Sequence, residues 1–275
     1  VSVAEVPDPA VFEVACAVRS LGDGTLTADL RHEWSIGTHP HGGFVIALMA
    51  RAALAVLSEH GEPSTDPLAV SAEFLRPPAI GPALLRTDIR KVGRRATVVA
   101  VRLEQRGRSC VEATVTTGRL PVRRPDWTDL PRMPAEPPSR AIHLAGETAE
   151  GVFNLAKGCD VRVDPATAGF LTGRPGDPPR LRLWVKPRHA APDAFFALLA
   201  GDINPPVVVN LGRAGWAPTA QLTALVRARP APGWLRVQVD CRTVQEAWFD
   251  SDATVIDSAG KLVCQARQLA LAPAP

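Results

Sequence analysis

Residues 44–57, FVIALMARAALAVL, are apolar on almost every face of a helix, with Arg51 as the charged interruption. A helix that packs on a surface needs only one apolar stripe; a helix that is apolar all round must be buried on every side. The chain therefore has to supply something that can enclose a helix. The segments that follow do so. LAVSAEFL, ALLRTDIRKV, ATVVAVRLEQ and CVEATVTTG read as strands, rich in β-branched residues, and Gly107–Arg108 reads as the hairpin turn between the last two. An antiparallel sheet wrapped on the helix would meet its demand for burial.

The same order then returns. A proline-rich stretch over 121–140 has no helical or strand periodicity and reads as an extended linker across the surface. Beyond it, a second apolar helix over 193–201 leads to TAQLTALVRA, WLRVQVDCRTV, AWFDSDATVID and KLVCQARQLAL. FLRPPAIGPALLRTDIR in the first half parallels VRARPAPGWLRVQVDCR in the second, and RGRSCVEATV parallels SAGKLVCQARQ. One helix followed by several antiparallel strands, occurring twice, is a duplicated α+β unit. The expected division is a repeat over 1–120, the linker over 121–140 and a second repeat over 141–275.

Composition narrows the function. With 31 Lys plus Arg against 28 Asp plus Glu, the net charge of +3 argues against a dedicated nucleic-acid binder. The five cysteines are scattered with no CxxC pair, which fits a reduced, cytoplasmic protein and no zinc site. No basic-then-apolar leader opens the sequence. The longest apolar run, Phe44 to Ala50, falls short of the roughly 20 residues of a membrane span. His39 and His41 flank Pro40 as an H-x-H pair without a third ligand nearby, so neither a metal nor another cofactor is expected.

Asp202 is the anomaly. If Phe195, Phe196, Leu198 and Leu199 form the stripe of the second helix, Asp202 continues that stripe toward the core. It also lies at the helix's C-terminal end, where the macrodipole disfavours negative charge, and Pro205 and Pro206 stop the helix there. Such an Asp is either paired or kept for chemistry, and burial and dipole both raise its pKa. Gln268 is the polar member of an otherwise apolar strand face formed by Leu262, Cys264, Ala266 and Ala270. Thr219, Gln221 and Thr223 alternate on one strand, either as a solvated face or as a source of hydroxyl groups.

Taken together, HPHGGFVIALMARAAL, AGDINPP, PTAQLTALVRARP and GKLVCQARQLAL resemble the acyl-CoA thioesterase II (TesB-like) family over nearly the whole chain. The resemblance implies a double hotdog fold, homo-oligomers, and hydrolysis of acyl-CoA or acyl-carrier thioesters by a water held between Asp202, Thr219 and Gln268. It gives His41, Gly42 and Gly43, at the helix entry, a place in substrate binding. Phe195 and Phe196 are expected to receive the acyl chain between helix and sheet. Backbone N–H groups at a helix start, that of the first helix or that near Asp193, would polarise the carbonyl. The basic cluster Arg86, Arg90, Lys91, Arg94 and Arg95 is either a solvated face or a seat for coenzyme A phosphates.

Two departures from the family pattern stand out. Gln221 replaces a usual acidic residue, which leaves open whether Thr219 or Thr223 supplies the hydroxyl. His41 stands where relatives often carry Asn or Arg. Two other functions are compatible with such a scaffold: a non-catalytic binder of acyl chains or carrier-linked intermediates, and a hydratase or dehydratase. The latter is disfavoured because no His follows the Asp in GDIN. No G-x-S-x-G elbow offers an α/β-hydrolase route.

Overall fold

The computed structural model describes residues 8–62, 65–145, 152–174 and 178–274. The main sheet has fourteen strands among the described residues, twelve of them four residues or longer. In the first half the longer ones are β1 (Arg19–Gly22), β2 (Thr25–Leu30), β3 (Asp66–Phe74), β4 (Gly81–Lys91), β5 (Ala96–Gln105) and β6 (Arg108–Gly118). In the second half they are β7 (Cys159–Val163), β8 (Arg180–Pro187), β9 (Thr219–Val226), β10 (Leu235–Asp240), β11 (Trp248–Ile256) and β12 (Leu262–Leu271). They lie in one antiparallel sheet, ordered β1-β2-β4-β5-β6-β3-β9-β12-β11-β10-β8-β7, with the short Ile142–His143 beyond β7. The order in the second half mirrors the first about the β3–β9 seam, where Ser71 pairs with Thr223 and Val70 with Ala224.

The β5–β6 hairpin turns at Arg106 and Gly107, one residue earlier than the sequence suggests. Both have positive φ, 52° and 70°, as a two-residue turn matched to strand twist requires. Four strands (β1, β2, β7 and β8) went unread in the sequence. The stretch 119–141 holds no helix or strand. It is nonetheless anchored: Pro134 O accepts from Trp184 Nε1 at 2.9 Å, and Met133 packs with Trp184 and Trp234.

Two helices pack against the sheet and against each other. Helix α1 (Gly42–Glu59) buries Phe44 through Ala50 without a break. By length and composition it would pass for a membrane span, yet most of it lies inside the protein. Helix α2 (Ala194–Ala200) buries all seven of its residues. Asp193 caps it, accepting from Phe196 N–H at 2.7 Å, and the same carboxylate receives Arg51 at 3.1 Å. The Arg51 guanidinium stands 3.8 Å over the Phe195 ring.

The helices pack so that the start of α1 meets the end of α2. A Cβ on Gly43 would come within 2.8 Å of Leu199 O and 2.9 Å of Leu199 Cα. These are backbone atoms, which cannot swing aside. Gly43→Ala should therefore cost about 1–3 kcal/mol by overpacking, read as a lower midpoint in urea or thermal unfolding; an unchanged midpoint would contradict this contact.

Candidate active site

Asp202 follows α2 by two residues because Gly201 lets the helix end press against β12. A Cβ there would lie 3.0 Å from Ala266 Cβ and 3.3 Å from Cys264 Sγ. The Asp202 side chain is 11 % exposed. Its Oδ2 accepts the Gly43 N–H at 2.7 Å, and its Oδ1 accepts from Gln268 Nε2 at 3.2 Å. Gln268 Nε2 also donates to Thr219 Oγ1. Asp202, Thr219 and Gln268 are thus one hydrogen-bonded set.

Asp202 lies between two helix dipoles of opposite effect. Asp202 does end its own helix, but its carboxylate sits at the N-terminus of α1, where unpaired N–H groups and the dipole favour negative charge. Desolvation still dominates. Burial raises the Asp202 pKa above its ordinary 3.8, opposed by the nearby His41 and by the Gly43 N–H.

Thr219 is brought to this set by a β-bulge. Along most of β9 the pairing with β12 is regular, with Leu222 opposite Gln268 and Thr223 opposite Arg267. Between Thr219 and Gln221 the register slips by one, so that Thr219 faces Ala270. One extra residue in a strand moves the following side chain to the other face. Thr219 therefore turns inward with Gln268, whereas Thr223 shares a face with exposed Arg267 and bonds Ser71 Oγ at 2.9 Å. The simple alternation of Thr219, Gln221 and Thr223 expected from sequence does not hold.

A cavity of about 630 Å³ opens onto these groups. His41, Gly42, Asp202, Thr219 and Gln268 line it, within walls that include Ile36, Ile142, Phe153, Leu171, Pro205 and Trp216. Its size is in the range that holds small organic ligands. The first of the double prolines and its neighbour thus form wall, not merely a helix stop.

Phe195 and Phe196 do not line this cavity, which corrects the expectation that they receive an acyl chain. Phe196 is 1 % exposed and edge-on to Phe12, with ring centroids 5.3 Å apart, while Phe195 lies under Arg51. The space between helix and sheet is already filled. The wall residues Ile36, Ile142 and Phe153 were missed in the sequence, since the segments carrying them have no periodicity to read. Gly43 uses its N–H on Asp202 and does not border the cavity. At the start of α2 the Asp193 cap takes the Phe196 N–H, and this end does not border the cavity.

The Gly42 N–H, by contrast, is the first of α1, borders the cavity and has no acceptor among the described residues. Of the basic cluster, Arg90, Lys91, Arg94 and Arg95 lie at or beside the turn after Lys91, at the wrong end, whereas Arg86 is in register with Glu73 through Arg102 and Glu112 and pairs with Glu104. The turn after Lys91 adjoins the Asp66 end of β3, because Ala96 pairs with Gly118 and Gly118 with Asp66. Gly42 adjoins the Phe74 end, roughly 25 Å away at about 3.3 Å per residue. Among the described residues, no group of three or more His, Cys, Asp or Glu could hold a metal ion.

The fold these features define is a hotdog fold. A hotdog-fold protein of Alicyclobacillus acidocaldarius superposes with a TM-score of 0.78 at 22 % identity, over 96 % of this chain and 98 % of that one. A protein of Thermobifida fusca YX assigned as a thioesterase II superposes with a TM-score of 0.85 at 30 % identity, over 96 % and 97 %. Family models match the acyl-CoA thioesterase N-terminal domain over residues 30–118 and the C-terminal domain over 119–272. The chain belongs to the acyl-CoA thioesterase family. It is also 40 % identical to the uncharacterised protein Rv0499 of Mycobacterium tuberculosis, over 96 % of this chain and 99 % of that protein.

The raised pKa of Asp202 has a consequence for stability. As pH rises past the ordinary Asp value, the unfolded chain gives up this proton while the folded chain keeps it. Folding is therefore progressively disfavoured until the pH passes the raised folded pKa, and the loss is constant above it. Asp202→Asn removes that cost. Its melting midpoint relative to the native chain should climb as pH rises from about 4 and then level off; a midpoint difference that is flat or falls with pH contradicts the assignment.

Proposed function

We propose that this protein hydrolyses acyl-CoA or related acyl thioesters, with Asp202 as general base, on a double hotdog scaffold of repeats 1–120 and 141–275 joined by 121–140. The observation that carries this reading is the hydrogen-bonded set of Asp202, Gln268 and Thr219 on the wall of a largely apolar cavity.

The remaining valences of the set suit one water. Gln268 Oε1 is left to accept, and the Thr219 hydroxyl can still donate. A water that donates to Asp202 Oδ1 and Gln268 Oε1 and accepts from Thr219 keeps one lone pair for attack. Asp202 takes the water's proton as its oxygen bonds to the thioester carbon. The Gly42 N–H, at the positive end of α1, stabilises the oxyanion. Collapse breaks the C–S bond, and the departing thiolate recovers the proton from Asp202. A carboxyl group with a raised pKa serves both transfers better than an ordinary Asp. The acyl group lies against Ile36, Ile142 and Phe153.

Release of free thiol from a panel of acyl-CoAs tests the reading. Asp202→Asn should lower turnover by about 10²–10⁴-fold, the usual worth of general-base catalysis. The acidic limb of the native rate profile should lie above the ordinary Asp pKa, because burial raises that of Asp202. Thiol release untouched by Asp202→Asn removes the base assignment. Acyl-CoA binding without release favours the non-catalytic reading. The reading also carries cytoplasmic location and homo-oligomers, the latter checked by light scattering.

A further inference from the structure

His41 stands at the N-cap of α1, yet its side chain makes no capping bond. Its ring is 6 % exposed. Nε2 lies 2.9 Å from the main-chain oxygen of Asp202, and a carbonyl oxygen can only accept, so Nε2 carries the proton. The same nitrogen is 3.8 Å from Asp202 Oδ2. Nδ1, on the other side of the ring, is buried and has no hydrogen-bond partner.

That orphan is informative. A buried acceptor without a partner destabilises the fold, and a Phe ring of similar shape would avoid the penalty. The imidazole is retained at a cost, and the bond it makes is the one to Asp202. Two residues along, the Gly43 N–H holds the carboxylate of that same residue. The start of α1 therefore grips Asp202 at two points, main chain and side chain, across the junction of the two halves. A substrate role fits His41 poorly, because its donor is committed and Nδ1 has no accessible surface. Besides His41 and Asp202, the titratable side chain on the cavity wall among the described residues is His143.

We propose that His41 is a positioning residue for the hydrolysis, acting through its Nε2–H bond to the Asp202 main-chain carbonyl, and not a ligand of the substrate. This rests on the reading of Asp202 as the base. The bond fixes the backbone from which the carboxylate projects, and so the direction in which Oδ1 meets Gln268 and the water. Burial holds the His41 pKa below its ordinary 6.5, so the ring does this work as a neutral donor.

Three variants separate the roles. The Gln side-chain nitrogen reaches about as far as Nε2, the Asn nitrogen only as far as Nδ1, and Phe keeps the ring shape without a donor. His41→Phe and His41→Asn should lower kcat by about 10–100-fold, the effect of a misplacement near 1 Å, with KM little changed. His41→Gln should restore most of the loss. A rise in KM with kcat intact assigns the ring to substrate and overturns the proposal, as do equal Gln and Asn variants or a Phe variant equal to the native enzyme. Should His41→Phe fail to fold, the Gln and Asn pair decides alone. Titration of ¹³C-labelled aspartate by NMR gives a readout independent of turnover: the Asp202 pKa should move in the Phe and Asn variants and return in the Gln variant. If the native protein hydrolyses no acyl-CoA, the thioesterase reading fails. The titration then still judges His41, and an Asp202 pKa unmoved in every variant refutes its positioning role.

Discussion

The bond from the Gly43 N–H to the Asp202 carboxylate ties the start of one core helix to the end of the other. It exists only because both helices come within backbone contact, and glycine at 42, 43 and 201 is what permits that. A Cβ on Gly42 would lie 2.7 Å from Asp202 Oδ2, in steric conflict with the carboxylate. A side chain on Gly201 would hold α2 off β12 and withdraw Asp202 from Gln268. Close packing, in this protein, determines where the charge sits.

The opposite ends of the helix pair carry a second clamp. Arg51, nine residues after Gly42 and about 13 Å along the helix at 1.5 Å per residue, reaches the Asp193 cap of α2 and covers Phe195. The two acids have contrasting fates. Asp193, 46 % exposed, is satisfied by its own helix and a guanidinium. Asp202 accepts one backbone N–H and one side-chain amide N–H, in a desolvated place. Desolvation of an ionised carboxylate costs several kcal/mol, whereas a hydrogen bond to a charged group returns about 1.5–3. The balance leaves the acid ionisable but basic, with a cavity beside it.

Much of this was legible in the chain. The all-round apolar face of 44–57 demanded enclosure, and the paired helix-then-strands order announced two similar halves. ATVVAVRLEQ became β5 with both ends as read. Gln268 was identifiable as the polar member of a buried face, and Asp202 as an acid placed against burial. What escaped notice shares a physical cause. The bulge at Thr219 breaks the period of two on which strand reading relies, so the inward turn of that hydroxyl leaves no trace in local sequence. The partner helix whose dipole receives Asp202 is some 160 residues distant in sequence, visible only once the chain has folded. Phe195 and Phe196 read as a binding surface because apolarity does not say whether the space beside a ring is empty; Phe12 and Arg51 had already filled it. The walls of the cavity come from irregular segments, where no periodicity exists to be read.

In the proposed mechanism a solvent molecule, not the carboxylate itself, attacks the thioester. A single turnover in H₂¹⁸O, with enzyme in excess over acyl-CoA, tests this most directly. Attack by activated water delivers one ¹⁸O to the released acid and none to the protein. Label recovered in the side chain of Asp202, with an unlabelled first product, would mean that the carboxylate attacks as nucleophile and that the water is not the reacting group.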